Sequence, residues 1–187
     1  MSIKHIFHNS IVAALLATVM FSLPLAAEET RLDGLFEQLS EAEEKDEARR
    51  VAKEIELELT RSGSASADLL LKRGTDALDA GDVTKAIEHL TALTDHAPDF
   101  AEGWHMRAVA YSEAELFGPA MADIERALAL EPRHYNAIAS LGGVLAQIDR
   151  LDMAKEAFEL VLAIHPHHED VSEALEHIER EIGGSEL

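Results

Sequence analysis

The prolines at 98, 132 and 166 are spaced by 34 residues each time. Proline lacks the backbone N–H and its ring clashes with the preceding turn, so it ends a helix. Each of these prolines closes a run of helix formers, as in IERALALEP before Pro132, and a fresh apolar pattern follows at once. A chain that stops and restarts helices on a fixed period is built from copies of one unit. In the blocks 67–100, 101–134 and 135–168, position eight reads Gly74, Ala108, Gly142 and position twenty reads Ala86, Ala120, Ala154. Position four reads Leu70, Trp104, Ile138; position twenty-four reads Leu90, Ile124, Phe158; position twenty-seven reads Leu93, Ala127, Val161. Each block reads as two helices, about 101–113 and 119–130 in the middle one. The small residues at eight and twenty let the two helix backbones approach, and the larger ones fill the seams. Gly81 and Asp82 make the turn in the first block, Pro119 is tolerated at a helix start, and Asp99 with Glu102 predicts an N-terminal capping pair. One hairpin leaves its apolar stripe bare and three in series cover it, so the period predicts an all-α solenoid.

The residues Trp104, Ala108, Tyr111, Ala120, Ile124, Ala127 and Pro132 resemble the tetratricopeptide repeat in its 34-residue register. The outer blocks match more loosely, with Ala77 and Leu145 in place of the aromatic at position eleven. The stretch LTALTDHAPDFAEGW is also similar to small exported repeat proteins of alphaproteobacteria. The resemblance implies a right-handed solenoid of three hairpins with Trp104 and Tyr111 in the packing. It also implies a concave groove lined by positions two, five, nine, twelve and thirteen of each first helix. Carried over, these are Asp68, Leu71, Thr75, Leu78 and Asp79, then Glu102, His105, Val109, Ser112 and Glu113, then Asn136, Ala139, Gly143, Ala146 and Gln147. Repeats that grip a C-terminal carboxylate use Lys and Asn there, and this set holds no Lys or Arg. A protein or peptide partner of basic character suits it better by charge complementarity.

The flanks have their own patterns. Lys4, the uncharged apolar run 11–23, Pro24 and LAA before the acidic EET have the layout of a signal peptide over 1–27, cleaved after Ala27. An uncleaved N-terminal anchor is the alternative. Residues 28–66 form a helical extension and turn, with helices expected at about 32–43 and 46–60 and Ser66 as the next cap. Residues 169–187 hold a capping helix, about 169–182, and a short tail. The chain has no cysteine, so export implies a fold built without disulfides, and a periplasmic location suits it. No membrane span is expected after cleavage. With 36 acidic against 16 basic residues, the net charge is −20, which repels nucleic acid and anionic lipid.

Two features remain. In the HPHH stretch, His165, His167 and His168 beside Glu169 and Asp170 offer ligands that suit zinc, copper or nickel. That makes a periplasmic metal-handling protein the alternative function. The plainer reading is a polar loop around a structural proline. No glycine-rich phosphate loop, Gly-x-Ser-x-Gly or His-Glu-x-x-His is present, so neither an enzyme nor a cofactor is expected. The reading is an exported adaptor that mediates protein–protein interaction; an accessory role in envelope or cytochrome assembly rests on fold analogy alone.

Overall fold

The computed structural model describes residues 30–185, so the expected signal segment 1–27 lies outside the described residues. Among the described residues every regular element is a helix: α1 (Arg31–Glu41), α2 (Lys45–Leu59), α3 (Ala65–Asp79), α4 (Val83–His96), α5 (Ala101–Glu113), α6 (Phe117–Leu130), α7 (Tyr135–Gln147), α8 (Leu151–Ile164) and α9 (Glu169–Ser185). Helices α3–α4, α5–α6 and α7–α8 are antiparallel hairpins on the 34-residue period. Each second helix packs on the first helix of the next hairpin, and the first helices α3, α5 and α7 also touch in sequence. The first helices therefore line the tighter, inner side of the stack.

Side-chain size at two repeat positions sets the hairpin packing. A Cβ on Gly74 would strike the Leu90 side chain, and one on Gly142 would strike the Phe158 ring. In the middle hairpin Ala108 faces a cluster with Ala120 and Ile124, all three fully buried. Each buried Leu, Ile or Phe contributes about 1.5–3 kcal/mol, and the close approach requires that position eight stay small.

The hairpin turns share a backbone device that the sequence shows only once. Gly81, Glu115 and Asp149, all at position fifteen, have φ of 73°, 58° and 59°. Glycine takes this left-handed conformation freely, whereas Glu115 and Asp149 hold it against a steric cost.

Several boundary expectations are corrected. Ser64, not Ser66, caps α3 by accepting the Ala67 N–H at 3.5 Å. Helix α5 starts after Phe100 with no side-chain cap, so Asp99 and Glu102 form no capping pair. Asp99 instead lies 3.8 Å from the Arg126 guanidinium, and Glu102 turns inward. Helix α6 starts at Phe117, which leaves Pro119 in the first turn, where its missing N–H has no helical acceptor to lose. Trp104, expected among the core residues, is half-exposed. Its Nε1–H donates to the Pro98 carbonyl at 3.0 Å, and the Arg107 and Arg126 guanidinium carbons lie 4.9 Å and 5.8 Å from its ring centroid. An indole needs an acceptor for its N–H, and here that acceptor is at the rim of the seam.

The N-terminal hairpin α1–α2 does not stack on the first repeat that follows it in sequence. Helix α1 packs against α8, two repeats away. Leu35, Phe36, Leu39, Val51 and Ile55 join one buried cluster with Tyr135, Ile138, Phe158, Val161 and Ile178. Polar contacts fix the crossing: Arg133 reaches Asp33 at 2.6 Å, Lys45 reaches Glu169 at 3.0 Å, and the Tyr135 hydroxyl donates to the Ala52 carbonyl at 3.4 Å.

Candidate partner-binding surface

The inner face is carried by α3, α5 and α7. Asp68, Asp79, Glu113 and Gln147 are exposed there; Thr75, Leu78, Val109, Ser112 and Asn136 are half-buried. Ala139, Gly143 and Ala146 are half-buried as well, which keeps the α7 stretch shallow. Asp68 accepts bonds from the Ser62 hydroxyl and N–H, which hold its carboxyl below the usual carboxylate range. Three of the expected groove residues have other duties. Leu71 is buried in the first hairpin, and His105 and Glu102 belong to an internal polar knot.

That knot joins the second repeat to the third. Glu102 Oε2 accepts from His134 Nε2 at 2.8 Å and lies 3.3 Å from His105 Nδ1; His105 Nε2 meets Ser140 Oγ at 3.1 Å. His134 is 1% exposed and His105 6%. Burial pushes the Glu102 carboxyl up, but the bonds from His105 and His134 overcome it and bring the pKa down to about 2. The position-34 residue His134 also caps α7, since the Ala137 N–H donates to its Nδ1 at 3.3 Å. The sequence gives no sign of this knot, because it pairs position two of one block with position thirty-four of the same block across a loop.

The junction between the first and second repeats has a different knot. Arg107 grips Asp123 through two bonds, Nε to Oδ2 at 2.6 Å and Nη2 to Oδ1 at 2.9 Å, and its Nη1 donates to Thr94 Oγ1 on α4 at 2.7 Å.

Glu102, His105 and His134 could also be weighed as a metal centre, since their ligand atoms lie within 4.8 Å of one another. Proton placement favours the hydrogen-bonded knot. The Ala137 N–H makes His134 Nδ1 an acceptor, so the proton sits on Nε2, where a metal would have to bind. Metal binding would force that proton onto Nδ1 and break the helix cap. Two of the HPHH histidines are similarly committed. His167 Nε2 bonds the Ala42 carbonyl at 2.9 Å, and His168 Nδ1 accepts the Val171 N–H at 3.4 Å.

Stacked helix pairs with a solvent-facing inner surface and a hydrogen-bonded interior define a repeat solenoid of the protein-binding class. The tetratricopeptide repeat model matches residues 101–134. A TPR repeat-containing protein of Rhizobium etli is 31% identical over 155 residues, 83% of this chain and 76% of that protein. The chain belongs to the tetratricopeptide repeat family. Among solved structures, the first TPR domain of Spaghetti (RPAP3) bound to the HSP90 peptide SRMEEVD is 26% identical with a TM-score of 0.61, covering 64% of this chain and 95% of that one. The Sgt2 TPR domain from Aspergillus fumigatus is 26% identical with a TM-score of 0.63, covering 66% and 83%. MamA, at 22% identity and a TM-score of 0.59 over 82% of this chain and 85% of its own, shares the fold.

Proposed function

We propose that the chain is an exported adaptor that holds a peptide or protein partner of basic character on the inner face of α3, α5 and α7. The observation that carries this is the charge of that face. Asp68, Asp79 and Glu113 are exposed there, none of the fifteen positions that the repeat register assigns to the groove carries Lys or Arg, and the exposed Lys72 one turn after Asp68 is paired with Asp76 at 2.8 Å. The similar RPAP3 domain holds the peptide SRMEEVD, which ends in three acids among its last four residues; the sign of the charge here favours the opposite kind of partner. Stacked, pre-formed helices leave the ordering cost of binding to the partner alone. The protein described from residue 30 onward is titrated with a Lys/Arg-rich peptide and with an acidic peptide of equal length, at two salt concentrations. The proposal expects selective, salt-sensitive binding of the basic peptide, weakened about tenfold or more in an Asp79→Asn, Glu113→Gln double variant. Equal binding of both peptides, or preference for the acidic one, overturns it. Export is tested separately by fractionating cells and sequencing the N-terminus, with cleavage after Ala27 and release to the periplasm as the expected result.

A further inference from the structure

A cavity of about 410 Å³ lies where α2 crosses the loop of the HPHH stretch, lined by Lys45, Arg49, Lys53, Tyr135, His165 and His168 among others. It is separate from the inner face. His165 is 8% exposed, and its Nδ1 is buried with no hydrogen-bond partner. A ring nitrogen in that position is far cheaper as a bare lone pair than as an orphaned N–H, since buried unpaired donors are the rarer and costlier case. The proton of His165 therefore sits on Nε2. His168 is fixed in the same tautomer by a different route: its Nδ1 accepts the Val171 N–H, so its Nε2 also carries a proton. The loop thus presents two ring N–H donors. Protonated Nε2 atoms cannot coordinate a metal, and the Lys45, Arg49 and Lys53 cations on one face of α2 repel one.

The repeat itself suggests what those donors lack. His168 occupies position thirty-four, as His134 does one repeat earlier, and both cap the following helix through Nδ1. The Nε2–H of His134 ends on the Glu102 carboxylate. At the matching position two of the third repeat stands Asn136, and among the described residues no carboxylate accepts from His168. We infer that the cavity between α2 and the His165–His168 loop binds a small carboxylate-bearing molecule, taken by the ring N–H groups of His165 and His168 with Lys53 and Arg49. The acids around the cavity have other partners: Glu169 is paired with Lys45 at 3.0 Å, Glu56 shares the Tyr135 hydroxyl proton with the Ala52 carbonyl at 3.4 Å, and Asp170 faces solvent; Arg49 gives Nη1 to Asp46 at 3.4 Å and keeps its other N–H groups for the cavity.

The test uses succinate as probe, with phosphate, glycerol and zinc as parallel arms, on protein labelled for long-range 1H–15N spectra of the histidine rings near neutral pH. The inference expects both rings in the Nε2–H form and saturable shifts at His165 and His168 with succinate alone. Two variants sharpen it. Lys53→Ala removes an exposed cation, and His168→Asn keeps a helix-capping side chain while removing the ring donor. Each lowers succinate affinity about tenfold with an unchanged melting temperature. Nδ1–H tautomers, coordination of zinc by these rings, shifts that glycerol or phosphate reproduce equally, or no response to succinate overturns the assignment.

Discussion

The two junctions of the solenoid solve one problem with different chemistry. Between repeats one and two, Arg107 draws in Asp123 and Thr94; between repeats two and three, Glu102 draws in His134, His105 and Ser140. Each knot satisfies polar groups trapped where helices meet, and a buried polar group left without partners costs far more than it returns. They differ in what can unmake them. A guanidinium stays charged at every ordinary pH, and its bidentate grip raises the Arg107 pKa further. The second knot depends on one carboxylate remaining ionised. The first holds a carboxylate as well, Asp123, but grips it with a permanent cation; in the second the partners are imidazoles, and Glu102 is the carboxylate held well below its usual range.

The largest expected effect breaks the first knot. Arg107→Ala strands Asp123, which is 5% exposed, and should cost about 3–5 kcal/mol in chemical denaturation. A loss under about 1 kcal/mol would show that the pair is a rim contact worth no more than a surface salt bridge. Next comes the acid response of the second knot. The folded-state pKa of Glu102 lies below its unfolded value, so its stabilisation is present above pH 4.5 and is lost as pH falls toward about 2. That step amounts to about 3 kcal/mol. His165 gives an earlier step: burial first, then His168 and His167, lower its pKa to about 4, so stability falls as pH drops from 6.5 toward that value. Denaturation curves across this range should show both steps in the native chain and only the upper one in Glu102→Gln. Arg107→Ala should keep both. A Glu102→Gln profile parallel to the native one would remove Glu102 from the account.

Two smaller changes compare the repeats directly. Gly142→Ala should destabilise the third hairpin by about 1–3 kcal/mol, because Phe158 already fills the space that the middle hairpin gives to Ala108. The reverse swap at the turns should help. Glu115→Gly relieves a left-handed residue that repeat one already makes glycine, and should stabilise by about 0.5–1 kcal/mol. A melting temperature that falls in Glu115→Gly would mean that the gain in chain entropy on unfolding outweighs the relief.

The repeat was legible because proline punctuation and small residues at positions eight and twenty report local physics that recurs every 34 residues. The flanking helices were legible for the same local reason, with their ends shifted by a few residues. What escaped the sequence depends on distant partners. Nothing in Leu35, Phe36 or Ile55 says that their hairpin folds back on Tyr135 and α8 rather than on the adjacent repeat. Glu102 and His105 occupied groove positions by register, and only the placement of His134 shows that they face inward. Glu115 and Asp149 hid the shared turn because neither is the glycine that its backbone favours. Trp104 misled because its register in the repeat placed it in the packing, while its N–H required an acceptor at the seam's edge.

The central claim is that the inner face of α3, α5 and α7 is where a basic partner binds. Mapping backbone amide shifts while a Lys/Arg-rich peptide is added tests it most directly. The account predicts that the perturbed residues centre on Asp79, Glu113 and Gln147. Shifts confined to α1, α2 and the outer helices would contradict it.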